Sequence, residues 1–307
     1  MTSIMTNVSA MTALQSLTNT NKGLNQTQNR ISTGYRVSSA EDNAAYWSIA
    51  TTMRSDRGAL STVKDALGLG AATIDVAYTG INSAIDVAKE IKNKLVAARQ
   101  PGIDRTTVQS EITELQNQLQ SISDSSVFSS ENWLSVDSGD AAYNATKTMV
   151  ASFSRSGGSV SVGTISIDVD GVKLYDANDQ SGILDTVDTT TNGGVDYSVS
   201  DLDISTLTDV DADLDDLEQM ISFVNTAIGG MITSASNLGA IKQRTTLQSD
   251  FVGALMSAID RGVGALVDAD MNEESTKLQA LQVQQQLGIQ ALSIANQNSQ
   301  SILSLFR

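Results

Sequence analysis

Residues Leu278 to Phe306 read LQALQVQQQLGIQALSIANQNSQSILSLF and contain no charged side chain; Lys277 precedes them and Arg307 follows. Leu287, Ala291, Ile294, Ile302 and Leu305 fall at helical steps of three and four, with Asn298 at the one intervening step. That spacing lines up one side of successive turns and predicts an amphipathic helix. The other faces carry amides, among them Gln282, Gln284, Gln286, Gln290 and Asn296. A solitary surface helix carries Lys and Glu there, because hydrated charges keep it in solution. Amides bond to a neighbour without like-charge repulsion or the desolvation cost of an ion. The pattern therefore predicts a helix that copies of itself will cover. It is too polar for a membrane span, which needs about 20 predominantly apolar residues.

The other end is built alike. Met1 to Ala40 hold no acid, and their bases are Lys22, Arg30 and Arg36. Ile4, Val8, Met11, Leu14 and Leu17 step by three and four; Leu17, Leu24 and Ile31 are seven apart, as in a coiled-coil seam. Two charge-poor amphipathic ends on one chain read as a pair.

Between them, Ser38 to Asp42 read as a loop, with Ser39 or Asp42 as the cap of a helix from Asn43 to Arg99. Leu60, Val63, Leu67, Ala71, Ile74, Ala77, Ile81, Ile85 and Ala88 keep its rhythm. Gly58, Gly68, Gly70 and Gly80 interrupt it at up to ~1 kcal/mol each, a cost that close helix approach would offset. Gln100-Pro101-Gly102 stops it, and Asp104 caps the next helix, whose seam is Val108, Ile112, Leu115, Leu119 and Ile122. Trp133 and Leu134 are expected to pack the following turn, and Trp47 is read as packing. From Lys147 to Val199 the pattern turns to alternation: Val160, Val162, Ile165, Ile167 and Val169, with Gly157-Gly158 and Asp170-Gly171 as turns, predict short antiparallel strands. Helix returns near Asp209, with Val210, Leu217, Val224, Met231, Leu238, Thr245, Val252, Ile259 and Leu266 seven apart, roughly 85 Å of helix. Lys242, Thr245 and Ser249 break that seam and mark a contact outside the bundle. Asp270 to Glu273 resemble a capping box. The fold class is mainly α: a long antiparallel coiled-coil bundle of N- and C-terminal segments with a small inserted β-containing region. The expected division is 1–40 with 270–307, then 41–146 with 207–269, then 147–206.

Composition narrows the function. The 307 residues contain no Cys and no His, so disulfides, thiolate metal sites and the commonest general base are absent. The net charge of −16 argues against nucleic acid and anionic membranes as partners. Met1 to Ala10 lack a basic stretch followed by an apolar core, so no cleaved secretory signal is expected. Asp209 to Asp216 invite a calcium reading, but Leu214 and Met220 stand where an EF-hand loop needs Gly and Glu. The acids read instead as favouring a helix N-terminus. No Gly-rich phosphate loop appears. No metal, cofactor or catalytic residue is expected.

Arg30-Ile31-Ser32-Thr33-Gly34-Tyr35-Arg36-Val37-Ser38-Ser39-Ala40-Glu41-Asp42-Asn43-Ala44-Ala45 resembles the N-terminal signature of bacterial flagellins, carried by Arg30, Gly34, Arg36, Ala40, Asp42 and Asn43. Ala291 to Gln297 and Ser301 to Arg307 resemble the C-terminal signature. The resemblance implies a structural subunit that polymerises into the flagellar filament for swimming, alone or mixed with other flagellins. It implies that Ile4, Val8, Leu14, Leu17, Leu24, Ile31, Leu287, Ala291, Ile294, Ile302 and Leu305 mediate polymerisation from paired terminal helices lining an inner tube. An export chaperone at the C-terminal helix, and cap and hook-junction proteins, would be partners. The location would be the extracellular filament, reached through the flagellar secretion channel. Two alternatives remain open: the hook–filament junction protein, and a secreted adhesin displaying the acidic β region. The zinc-protease insert of some flagellins is excluded by the lack of His. Animal toll-like receptor recognition of flagellin uses a stretch of the long helix that here corresponds to Lys89 to Val96. Lys89, Glu90, Lys92, Asn93 and Lys94 depart from the usual Gln-Arg-Val/Ile-Arg-Glu-Leu pattern: Glu90 replaces the first Arg, Asn93 the Glu and Lys94 the Leu. The plant-sensed segment, Asn29 to Ala50, departs at Val37, Tyr46 and Trp47.

Overall fold

The computed structural model describes residues 6–305, and the side chains of residues 6–297. The chain forms two compact units, Met1–Gly58 with Met256–Arg307, and Ala59–Leu255. The helices are α1 (Val8–Thr33), α2 (Ala44–Ala98), α3 (Arg105–Ser125), α4 (Asp211–Val267) and α5 (Met271–Leu305). The strands lie between α3 and α4, and the stretch 147–206 falls inside the second unit rather than forming a third.

Side-chain caps set the helix boundaries by accepting the N–H groups a first turn leaves unpaired. Asn7 takes the amide of Ala10 at 3.0 Å to open α1, and Gly34, at φ +75, closes it with its N–H on the Arg30 carbonyl. The sequence pointed to Ser39 or Asp42 as the α2 cap. Asn43 takes that place, its Oδ1 accepting from Ala45 and Tyr46 at 3.1 Å. Asp42 instead folds back to accept the amides of Ser38 and Ser39, and those bonds hold its carboxyl below the usual range. Asp104 caps α3, and Asp270 caps α5 through the amide of Asn272.

In the second unit α2 buries two heptad rows, Leu60, Leu67, Ile74, Ile81, Ala88 and Leu95 beside Val63, Ala77, Ala84, Ile91 and Ala98. The missing member of the second row is Gly70. Met149 of β4 (Thr146–Ser156) occupies the vacant space: a Cβ on Gly70 would stand 2.7 Å from its Cε. Gly80 admits Leu134 and Ser126 in the same way, whereas Gly58 and Gly68 face open space. Close approach thus accounts for two of the four glycines. Ile112 and Leu119 of α3 and Leu217, Val224, Met231, Leu238 and Val252 of α4 are also buried. Thr245 stays in this seam because its hydroxyl donates to the Ile241 carbonyl at 2.9 Å and lies 3.9 Å from the Met149 sulfur.

β4 pairs antiparallel with β5 (Ser159–Asp168) around Gly157 and Gly158, both at positive φ. Val160 and Val162 share a parity that Ile165 and Ile167 do not, so they cannot lie on one face. Ile165 and Ile167 are buried; Val160 and Val162 are exposed. The remaining pairs are two residues long: β1 (Val127–Phe128) with β2 (Glu131–Asn132), β3 (Ser135–Val136) parallel to β6 (Tyr175–Asp176), and β7 (Asp188–Thr189) with β8 (Asp196–Tyr197). Burial of Leu174, Leu184, Val199, Leu202 and Ile204 anchors these loops. Gln109 and Gln116 of α3 take up their backbone: Gln109 donates to the Leu202 carbonyl at 2.9 Å and accepts the Ile204 amide at 2.9 Å, and Gln116 donates to the Val199 carbonyl at 3.1 Å.

Candidate functional site

The first unit holds α1 and α5 side by side and antiparallel. Three polar contacts run down the pair. Asn7 donates to the Ala295 carbonyl at 2.9 Å, Gln285 donates to Asn21 at 2.7 Å, and Arg30 Nη1 meets Glu274 Oε1 at 2.9 Å. On α5 the inward positions are Glu274, Leu278, Leu281, Gln285, Gly288, Leu292 and Ala295, a strict four-three heptad. Leu17 of α1 lies over Gly288, where a Cβ would be 3.2 Å from its Cδ1, and Leu281 lies over Gly23. Leu24 and Ile31 continue the α1 side. Among the described residues of α1 and α5, those fully buried are polar: Thr27 at 1% exposure and Glu274 at 6%.

The stripe Leu287, Ala291 and Ile294 is not the seam to α1. It faces outward, with Leu287 57% and Ile294 64% exposed. Val8 and Leu14 of α1 are likewise exposed, while Leu17, Leu24 and Ile31 turn toward α5. Ile4 lies outside the described residues, as do the side chains of Ile302 and Leu305. The two stripes of α5 are one residue, or about 100°, apart, and both are apolar; periodicity alone does not rank them. Glu274, at heptad distance from Leu281 and complementary to Arg30, carried the deciding signal. Val8, Ala13, Ala291 and Ile294 line an open groove of ≈ 690 Å³ between the two helices.

The segment after α1 fastens to the turn between α4 and α5. The amides of Arg36 and Val37 donate to the Val267 carbonyl at 2.7 and 3.2 Å, the Arg36 side chain donates to the Leu266 carbonyl at 3.0 Å, and the Ala269 amide donates to the Gly34 carbonyl at 2.9 Å. Beneath these bonds Val37, Ala50, Val263 and Val267 form a small core. The Arg54 guanidinium stacks 4.8 Å from the Tyr35 ring. Arg30, Gly34, Arg36, Asp42 and Asn43 are thus ion-pair partner, helix stop, clasp, loop tie and cap; Ala40 sits exposed in the turn. Charge divides with the units. Met1–Gly58 and Met256–Arg307 carry eight acids and eight bases, so the net −16 belongs to Ala59–Leu255, with 27 acids and 11 bases.

Residues 4–138 match the bacterial flagellin N-terminal helical region and residues 221–306 the C-terminal helical region. The chain is 51% identical over 322 residues to Flagellin C of Rhizobium meliloti (strain 1021), 42% identical over 397 residues to Flagellin A of that strain, and 44% identical over 308 residues to the Flagellin of Brucella melitensis biotype 1, each covering 100% of both chains. The chain belongs to the bacterial flagellins. It is a structural subunit of the flagellar filament, an extracellular motility organelle. Among the described residues of this flagellin no helix is long and apolar enough to cross a membrane, and no group of His, Cys, Asp or Glu is placed to hold a metal ion.

In the stretch Lys89 to Val96 of this flagellin, Ile91 and Leu95 are core residues. Lys94 pairs with Glu111 of α3, Lys92 donates to Asn225 at 3.3 Å, and Lys89 meets Asp86 at 3.1 Å. Glu90 and Asn93 are exposed, and Glu90 lines a groove with Glu111 and Glu114. The acidic run at the start of α4 ties down the segment before it: Asp213, in the first turn, accepts both the amide and the hydroxyl of Thr208 at 2.6 Å. Sequence reading missed one buried cluster. Lys173 Nζ lies 2.8 Å from Asp176 Oδ2, and the amides of Ser138 and Asn178 donate to Asp176 Oδ1. Burial opposes ionisation of Asp176, but Lys173 and these amides outweigh it and hold the carboxyl far below its usual value.

Proposed function

We propose that α1 and α5 are the polymerising element of this flagellin, forming the inner tube of the filament through the face that Val8, Leu14, Leu287, Ala291 and Ile294 leave exposed. One observation carries this: a helix pair that, among its described residues, leaves every large apolar side chain at best half-buried, yet shows an open groove lined by Val8, Ala291 and Ile294, has its core still to complete. Burying a Leu or Ile side chain contributes about 1.5–3 kcal/mol, so each copy added along that groove supplies stability the isolated pair lacks. The amide-rich flanks and the balance of acids and bases let copies meet without repulsion. Ile4, Ile302 and Leu305 are assigned to the same surface by the sequence pattern. The remaining partners are an export chaperone on the C-terminal helix and cap and hook-junction proteins at the filament ends. Export is assigned to the flagellar channel, and the role assigned to the chain is structural. Other flagellins can share the filament, as expected where one Rhizobium meliloti strain has Flagellins A, B, C and D.

The test is electron microscopy of concentrated chain with and without filament seeds. Wild type is expected to form filaments. Ile294→Asp is expected to form none while keeping the helical signal of residues 59–255. Normal filaments from Ile294→Asp would remove the outward stripe from the interface.

A further inference from the structure

Asn192-Gly193 is the one Asn-Gly step in the chain. In a flexible chain such a step is chemically labile. The Gly amide nitrogen loses its proton to solvent base and attacks the Asn Cγ. A new N–Cγ bond forms, the Cγ–Nδ2 bond breaks and ammonia leaves. Water then opens the ring at either carbonyl, giving Asp or a backbone rerouted through the side chain.

Every reacting part of this step is held by the start of α4. The Gly193 amide donates to Asp216 Oδ2 at 2.9 Å and the Asn192 amide to Asp216 Oδ1 at 3.1 Å. The leaving group is tied as well, because Asn192 Nδ2 donates to the Ala212 carbonyl at 3.2 Å. Thr191 is stapled beside them, its amide donating to Gln219 at 3.0 Å. Asp216 is 2% exposed, although the loop above it is exposed. A carboxylate accepting an N–H favours the protonated amide, which is the unreactive form. Glycine also fits closely at this position: a Cβ on Gly193 would stand 3.1 Å from both Asp216 Oδ2 and Thr190 Oγ1, so those side chains would have to give way. The clasp is therefore built closely around the residue that makes the step labile.

We propose that Asn192-Gly193 is a site of spontaneous amide-to-acid conversion, suppressed in the folded chain by Asp216 and opened whenever the loop leaves α4. Conversion is one-way. It places a second carboxylate against Asp216, and the rerouted backbone no longer presents adjacent amides to it, so the loop cannot dock again.

Peptide mass spectrometry of purified full-length chain after incubation near neutral pH tests this, scoring conversion at residue 192. Native wild type is expected to convert roughly tenfold or more slowly than wild type in urea, the size of effect expected for loss of a hydrogen bond to a charged group. Native Asp216→Asn is expected to approach the urea rate. Equal rates in native wild type and urea overturn the protected site. Equal rates in native wild type and Asp216→Asn overturn the role of the carboxylate. Should Asp216→Asn fail to fold, Gln219→Ala decides: it releases Thr191 but leaves the carboxylate clasp, and must stay slow; conversion at the urea rate overturns the assignment to Asp216.

Discussion

Residues 59–255 and the α1–α5 pair are both helical and both follow heptads, yet they use the heptad differently. In α2 the repeat positions are Leu, Ile and Ala at or near zero exposure, closed over by α3, α4 and Met149. In α1 and α5 they include Thr, Asn, Gln, Gly and a Glu–Arg pair among leucines that stay half-buried, and a second set of apolar side chains faces outward. A seam of that kind specifies a partner and a register more than it supplies stability, the role best attested for buried polar groups in coiled coils. The second unit has a finished core and all the net charge; the first has a lock, an apolar groove and no net charge. Filament formation needs both: one part that stays folded and solvated alone, and one whose burial is completed by its copies.

The largest effect expected within this comparison concerns what the charged unit turns away. Glu90 lines a groove with Glu111 and Glu114, and by the sequence resemblance it stands where receptor recognition of flagellins is expected to use an Arg. Losing that contact and adding repulsion costs about 3 kcal/mol, over a hundredfold in affinity. Purified monomer is expected to activate a toll-like-receptor reporter cell weakly or not at all, and the plant receptor likewise. The triple variant Glu90→Arg, Asn93→Glu, Lys94→Leu is expected to gain activity. Strong activation by wild type at ordinary stimulatory concentrations would count against the reading.

Next comes the lock. Glu274→Ala leaves Arg30 facing a buried position and is expected to cost about 2 kcal/mol, reduced from the fully buried case because Arg30 is partly exposed. The readout is a rise in the critical concentration for assembly. The exchange Arg30→Glu with Glu274→Arg should recover most of the loss. Failure of the exchange, with each single variant as poor as the pair, would show that the contact does not set register.

Glycines of α2 give a smaller effect of opposite sign. Gly80→Ala drives a methyl into Leu134 and Ser126 and is expected to cost about 1–3 kcal/mol. Gly68→Ala meets nothing and is expected to gain up to about 1 kcal/mol. Thermal melting separates them by sign, and a stabilised Gly80→Ala would refute the close packing of that turn. The smallest effect is on acid stability. Asp176 is held below its unfolded value, so its contribution is present above about pH 4 and declines as pH falls toward the folded value. Asp176→Asn should be less stable at neutral pH and show a shallower loss on acidification; an unchanged acid slope would remove Asp176 as a source.

Much of this was legible in the chain. The α2, α3 and α4 seams, the Pro101-Gly102 stop, the Asp104 cap and the Gly157-Gly158 hairpin follow from strong local signals with one interpretation each. The outward stripe of α5 did not, because Leu and Ala recur on two of its faces and only the partner decides which is inside. The β5 strand was legible too, but which parity turns inward, Ile165 and Ile167 rather than Val160 and Val162, is settled by what the strand packs on. Asp216, Lys173 and Asp176 were invisible among 35 acids and 19 bases; what distinguishes them is burial created by loops that lack periodicity.

Met149 closes the gap at Gly70 with a thioether, touching α2 on one side and Thr245 of α4 on the other. Sulfur is the one group in that joint open to oxygen transfer. A sulfoxide there would be bulkier and polar against Gly70 and Thr245, so the hairpin's seat in this extracellular polymer doubles as a point of oxidative wear.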